Sequence, residues 1–258
     1  MTGDWLYELD LGVILLGSFL LFLLSLIIGY WTGRKVRKEG EQDTQVNTIL
    51  AAILGLLGLL LAFTFSMAAA RYDLRRNLVL QESNAIGTAY LRTQMLPEPH
   101  RTQLSDLLRE YVDVRLEFYD AGVDESKLQL AIKKTEQIQS QLWQEAVAVS
   151  SIDPRSVPAG LFVESLNEVI DLHAARLTAI QNRVPEVIID LIFIASILSL
   201  GLLGYSMGMT QHRSFVPTLL ALMLIVAIIG VIIDLDRPRR GLITVSQESM
   251  IQLQQSIK

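Results

Sequence analysis

The chain has 258 residues, of which 51% are hydrophobic and 19% charged, and it contains no cysteine. The lack of cysteine excludes a disulfide-stapled domain and a thiol enzyme, and the high apolar content excludes a disordered protein. The net charge of -5 gives no basic surface of the kind that binds nucleic acid, so no nucleic-acid partner is expected. Because the apolar residues are concentrated in long runs, the composition is typical of a membrane protein.

Four apolar runs, each long enough to cross a bilayer at about 20 residues, predict four transmembrane helices. They cover residues 11–31, 48–70, 187–209 and 215–233. The first run is preceded by acidic residues and by no lysine or arginine, which is not the pattern of a signal peptide. Basic residues flank the runs on both sides, so the positive-inside rule leaves both orientations open.

Residues 71–186 predict a helical domain outside the bilayer. Prolines and a glycine divide it at residues 96–99, 120–122 and 153–158, and apolar residues recur at helical spacing between these breaks. No helix breaker separates Ala70 from Arg71, so the second transmembrane helix is expected to continue to about Met95. We therefore predict an all-α fold: a four-span bundle with a helical extramembrane extension. The predicted domain bounds are 1–70, 71–186, 187–234 and 235–258.

The segment after the last span combines two acids with three arginines. Asp234, Asp236 and Arg237 are its first charged residues. These side chains can form a folded salt-bridge corner that holds the tail, or a cap whose charges reach the lipid headgroups. Residues 243–258 predict a short amphipathic helix.

No catalytic or metal-binding constellation is found. His100, His173 and His212 lie in three different predicted elements and have no cysteine to support them, so neither a zinc site nor a cofactor is expected. His173 lies on an apolar stripe and is interpreted as a core residue. The pattern from Gly204 to Gly208 matches a nucleophile elbow, but no strand precedes it. We interpret it as a pair of small residues for close helix packing, and we expect no enzyme activity.

The second span carries a stripe of small residues on one helical face. Its members are Ala51, Gly55, Gly58, Ala62, Phe65 and Ala69. Such a stripe is typical of a packing seam between helices in lipid. It is also compatible with the pore face of an oligomer, in which a bulky apolar side chain forms the constriction. Phe65 is the bulky residue on this stripe.

Charged residues near the membrane edges form a second group of candidates. Asp190 lies about one turn inside the third span, where a carboxylate is expected to face protein, a water-filled cavity or an arginine. Arg71 and Arg75 follow the second span, and Glu82 falls on its continuing apolar stripe. Glu82 either pairs with an arginine such as Arg75 or Arg176 or contributes to a charged pore edge.

The sequence LGLLLAFTF at residues 57–65, followed by AAARYDLRR at 68–76, resembles the second span of bestrophins. Four spans, a helical block between the second and third, and an Asp- and Pro-containing segment after the fourth also match the bestrophin plan. A bacterial bestrophin-like family is resembled more closely by four segments: residues 82–92 with Leu96 and Pro97, the helix that contains Tyr111, residues 167–176, and residues 235–238 with Gly241. Two departures are Asp73 and Leu74, which stand where bestrophins carry an aromatic pair.

This resemblance implies a homopentameric, multi-pass chloride channel in a bacterial inner membrane, with the bilayer and small ions as its partners. By position, the apolar neck of the pore would contain Leu59 and Phe63, whereas the helical wheel selects Phe65. The acidic run of calcium-gated members is not present, although Asp234 and Asp236 are.

Two alternatives to an anion channel remain open. The block 71–186 contains 17 acids and 13 bases, and Asp190 adds a carboxylate, which favours a cation channel of the same architecture. The other alternative is a non-conducting membrane scaffold or sensor. Oligomeric state distinguishes the channels from the scaffold, because a pore lined by one helix per subunit needs about five copies.

Overall fold

The computed structural model describes residues 9–36, 44–210 and 215–258, so that His212 lies outside the described residues. These ranges are helical and contain no β-strand, which confirms the predicted all-α fold. The helices are α1 (Leu11–Val36), α2 (Thr44–Thr93), α3 (His100–Asp120), α4 (Glu125–Ile152), α5 (Val157–Gln181), α6 (Glu186–Met209), α7 (Phe215–Asp236) and α8 (Glu248–Ser256).

The chain forms two compact units. The first contains the described residues up to Ala70 together with Arg183–Arg237, and the second contains Arg71–Asn182 together with Pro238–Lys258. Within the described ranges, four helices are long and apolar enough to cross a membrane: α1, the apolar part of α2, α6 and α7. These four helices confirm the predicted spans. Pro185 precedes α6 and follows a non-helical segment, so it starts the third span rather than kinking a longer helix.

Helices α1 and α6 of the first unit are packed backbone to backbone through glycines. A Cβ atom added to Gly204 would lie 2.0 Å from the carbonyl oxygen of Leu26, and one added to Gly29 would lie 1.9 Å from that of Gly201. Ser25 Oγ donates a hydrogen bond to the carbonyl oxygen of Ile197 at 2.7 Å across the same pair. The small residues of α6 therefore serve close helix packing, as the sequence predicts.

The core of the second unit is formed by apolar side chains from α2, α3, α4, α5 and α8. It includes Ile86, Leu104, Leu142, Phe162 and Met250, all of them buried. Helices α3, α4 and α5 begin and end where the sequence breaks predict.

Local signals explain these boundaries. Gly122 adopts a positive φ of 54° after α3, which few side chains tolerate. Asp124 accepts a hydrogen bond from the backbone N–H of Lys127 and caps α4, and Ser156 does the same for α5 with the N–H of Ala159.

The sequence predicts the extent of α2 correctly, but it does not predict where the tail helix begins. Helix α2 continues past Ala70 to Thr93 without a break, as expected. The tail helix is shorter than predicted, because residues 243–247 are not helical and α8 begins only at Glu248. Val245 and Gln247 are buried in this non-helical segment, and Gln247 Nε2 donates to the carbonyl oxygen of Val245 at 3.1 Å. This side-chain packing replaces the first helical turn.

Candidate functional site

The membrane-spanning part of α2 has one face buried within its own chain. Leu57, Leu61, Thr64 and Ala68 are spaced at three and four residues, and all are buried. This spacing places the four side chains on one side of the helix. Packing of this face within the chain therefore determines which side of α2 is turned outward.

The two neck candidates taken from the family resemblance lie on the outward side of α2. Leu59 and Phe63 are 51% and 64% exposed, and Phe65 is 43% exposed. At 100° per residue, Leu59 lies nearly opposite the buried face, Phe63 lies about 130° from its centre, and Phe65 about 70°. Phe65 is thus nearer to the flank of the helix than to its outermost side.

Most of the stripe of small residues is exposed, and its two glycines contact no neighbouring side chain among the described residues. A Cβ atom added to Gly55 or to Gly58 would find no atom within 4 Å, and Ala51 and Ala62 are exposed. If this stripe is a packing seam, the partner of Gly55 and Gly58 lies outside the described residues of this chain. Asp190 of α6 is likewise exposed, with no ion-pair partner among the residues that the structure describes.

The charged segment at the end of α7 is folded into the first unit rather than extended. Asp234, Asp236 and Arg237 are all buried. Both carboxylate oxygens of Asp236 accept the backbone N–H of Val184, at 3.1 and 3.0 Å, and Arg237 Nη1 donates to the carbonyl oxygen of Leu9 at 2.9 Å. This geometry is that of a folded corner at Asp234, Asp236 and Arg237.

In the second unit, Glu82 is the centre of a fully buried charge cluster. Arg115 Nε donates to Glu82 Oε1 at 2.9 Å, and Arg176 Nη1 donates to Glu82 Oε2. Tyr111 Oη donates to Glu82 Oε1 at 3.3 Å. Arg176 Nη2 also donates to Gln247 Oε1 at 3.2 Å, which connects the tail to the cluster. We call Glu82, Arg115, Arg176 and Tyr111 the buried cluster.

The electrostatics of the buried cluster are dominated by its two arginines. Burial acts to raise the pKa of Glu82, but Arg115 and Arg176 together hold that pKa below its ordinary value. Glu82 is therefore ionised, and the carboxylate and two guanidinium groups carry a net charge of about +1. Burial, followed by the Glu82 charge, raises the pKa of Tyr111, which remains neutral.

His173 lies beside the buried cluster and is itself buried. Its Nδ1 has no hydrogen-bond partner among the residues that the structure describes. Burial, reinforced by the positive charge of Arg115, lowers its pKa to about 4. His173 is thus a neutral core residue at neutral pH. Among the described residues, no group of three His, Cys, Asp or Glu side chains could hold a metal ion.

Sequence reasoning located part of the buried cluster. The sequence offers Arg75 or Arg176 as a partner for Glu82. Arg176 pairs with Glu82, whereas Arg75 donates to the carbonyl oxygens of Ala179 and Asn182, at 3.1 and 3.0 Å. Arg71 is partly buried. The roles of Arg115 and Gln247 were missed. A signal for Arg115 exists, because it is a charged residue within an otherwise apolar helical stripe of α3.

Most of the chain matches one known protein family. The model of the Bestrophin-like domain matches residues 17–250. The chain belongs to the bestrophin-like family. No curated protein is significantly similar to this member of the family.

Solved bestrophin structures share the fold of this bestrophin-like chain. A tryptophan-to-alanine variant of a bacterial bestrophin homolog from Klebsiella pneumoniae matches with a TM-score of 0.73 at 15% identity, over 97% of both chains. The same homolog solved by Zn-SAD phasing gives 0.69 at 16% identity, over 96% of this chain and 97% of that one. A tyrosine-to-alanine variant gives 0.68 at 16%, over 94% and 97%. At 15–16% sequence identity, this likeness shows a shared fold.

Proposed function

We propose that this protein is an oligomeric ion channel whose pore is lined by α2. The observation that carries the proposal is the exposure of Leu59 and Phe63 on the side of α2 that faces away from its own chain. In a ring of subunits, the buried face of α2 would point outward to its own bundle. The opposite face, with Leu59 and Phe63, would then point to the axis.

The stripe of small residues supports the same arrangement. Gly55 and Gly58 have open space beside them, and in a ring they would meet the α2 helix of the neighbouring subunit. Small residues at such a contact let helix backbones approach closely in lipid. The flank position of Phe65 supports a place for it at this contact rather than in the pore.

An apolar ring at the neck would gate the channel by dewetting. A narrow pore lined by side chains such as Leu59 and Phe63 excludes water when closed, and an ion then has no hydration shell in which to cross. Widening the ring by a small rotation of α2 would readmit water.

The finer assignments follow from the family resemblance. They are a homopentamer, permeation of small ions and a multi-pass location in a bacterial inner membrane. The resemblance also implies a preference for anions such as chloride. The exposed carboxylate of Asp190 argues instead for cations at the membrane edge.

The experiment that tests the channel measures the mass of the oligomer and the ionic current that it carries. The purified protein is weighed in detergent by native mass spectrometry and then inserted into a planar bilayer under a KCl gradient. We expect about five copies of the 28.8 kDa chain and discrete unitary currents. A monomer or dimer without current would contradict the channel and favour a membrane scaffold.

A further inference from the structure

The part of α2 in the second unit carries a stripe of polar residues on its exposed side. The members recur at three and four residues and are all exposed: Asp73, Asn77, Gln81, Asn84 and Thr88. The opposite side of this segment is buried, with Ile86 and Ala89 in the core of the unit. The stripe therefore lies opposite the packed face, as Leu59 does in the membrane-spanning part of the same helix.

The chemistry of the stripe suits a hydrated path. Carboxamide and hydroxyl groups both donate and accept hydrogen bonds, so they can replace water around an ion without fixing the sign of its charge. Asp73 is the charged member. It has no ion-pair partner among the described residues, and it follows Phe63 by about three helical turns.

Three other charged groups of this segment do not share the position of Asp73 on the helix. Glu82 is fully buried and held by two arginines, so it presents no charge to the exposed side. Arg75 is buried and donates to backbone carbonyl oxygens. Arg76 is exposed, but it lies about 60° from Asp73 around the helix, toward the side on which the small residues lie.

We infer that Asp73 sets the charge preference of the channel and makes it favour cations. This inference rests on the proposed function, since it needs α2 to line a pore. In a pentamer, the Asp73 carboxylates would form a ring at the exit of the neck, as carboxylate rings do in cation channels. The ring raises the local concentration of cations and repels anions, and the polar stripe then carries the hydrated cation onward.

The test measures reversal potentials in planar bilayers under a KCl gradient for the wild type, Asp73→Asn and Asp73→Lys. Each of the three proteins is measured with Phe63 in place and again in combination with Phe63→Ala, which widens the constriction. Glu136→Gln is the matched control, because Glu136 is also exposed in the second unit but lies on α4. We expect a K⁺-selective wild type, and a K⁺-to-Cl⁻ permeability ratio that falls on the order of threefold in Asp73→Asn and further in Asp73→Lys.

The outcomes separate this inference from the proposed function. The role of Asp73 is overturned if the reversal potential is the same in the wild type and both Asp73 variants. It is also overturned if the wild type is chloride-selective. Either result still supports the proposal that the protein is a channel. A shift of equal size in Glu136→Gln also overturns the role of Asp73, because the effect would then reflect overall charge. Oligomers that carry no current in either neck background overturn the channel itself, and with it the inference.

Discussion

Glu82 and Arg115 form an ion pair of 2.9 Å in which neither side chain has any exposed surface. Glu82 belongs to α2 and Arg115 to α3, and Arg176 of α5 reaches the same carboxylate. A single buried carboxylate therefore connects three helices of the second unit. Its removal would leave two guanidinium groups buried without a counter-charge, which is far more costly than losing an ion pair on the surface.

We predict that Glu82→Gln strongly destabilises the second unit. Breaking a buried pair by removing one partner typically costs about 3–5 kcal/mol. The control is Glu117→Gln, because Glu117 pairs with Lys134 at the same distance of 2.9 Å but the two side chains are about half exposed. That change should cost less than about 1 kcal/mol. Urea unfolding followed by circular dichroism measures both, and equal losses would refute the role of burial.

We predict an acid-dependent loss of stability that depends on His173. Its pKa is about 4 when folded against 6.5 when unfolded, so the unfolded chain binds a proton first as the pH falls. Stability contributed by the neutral ring is present above pH 6.5 and is lost between about pH 6.5 and 4, by up to about 3 kcal/mol.

The comparison that isolates His173 uses a neutral replacement. His173→Gln should remove this part of the pH dependence, while the titration of carboxylates remains in both proteins. His100→Gln is the control, because His100 Nδ1 lies 2.8 Å from Glu145 Oε2 and is only partly buried. Identical pH profiles for the wild type and His173→Gln in thermal unfolding would show that His173 does not contribute.

We predict that Gly204→Ala and Gly29→Ala disrupt the packing of α1 on α6. In each case the added Cβ would fall within about 2 Å of a backbone carbonyl oxygen, so the helices must separate. Overpacking of this kind costs about 1–3 kcal/mol or more. Gly17→Ala is the matched control on α1, since its Cβ would meet no atom within 4 Å. Lower melting temperatures in detergent should appear for the first two variants and not for the third.

The sequence predicts the features that depend on local patterns and misses those that depend on contacts between residues distant in sequence. The spans and the breaks before α3, α4 and α5 follow from apolar run length, proline and glycine, all of which are local. The contact of Arg115 with Glu82 joins residues of different helices, and no local pattern specifies which arginine a carboxylate meets. The non-helical turn at Gln247 was missed for the same reason, because Arg176, its partner, is distant in sequence.

The two aromatic candidates of the neck lead to different expectations. Phe63 is the more exposed and is farther from the buried face of α2 than Phe65 is. Phe63→Ala should therefore enlarge the constriction and raise the unitary conductance. Phe65→Ala should instead weaken the association of subunits. Single-channel recording and native mass spectrometry of both variants measure these effects, and an exchange of the two phenotypes would assign Phe65 to the pore.

The central claim, that the exposed face of α2 lines a pore, is tested most directly by thiol modification of single-cysteine variants during current recording. The chain contains no cysteine, so the unmodified wild type should be insensitive to a charged methanethiosulfonate reagent. Leu57→Cys, at a site that is 2% exposed, is the buried control. We predict that the reagent alters the current of Phe63→Cys and leaves that of Leu57→Cys unchanged. A current that is altered through Leu57→Cys and unaffected through Phe63→Cys would contradict the account.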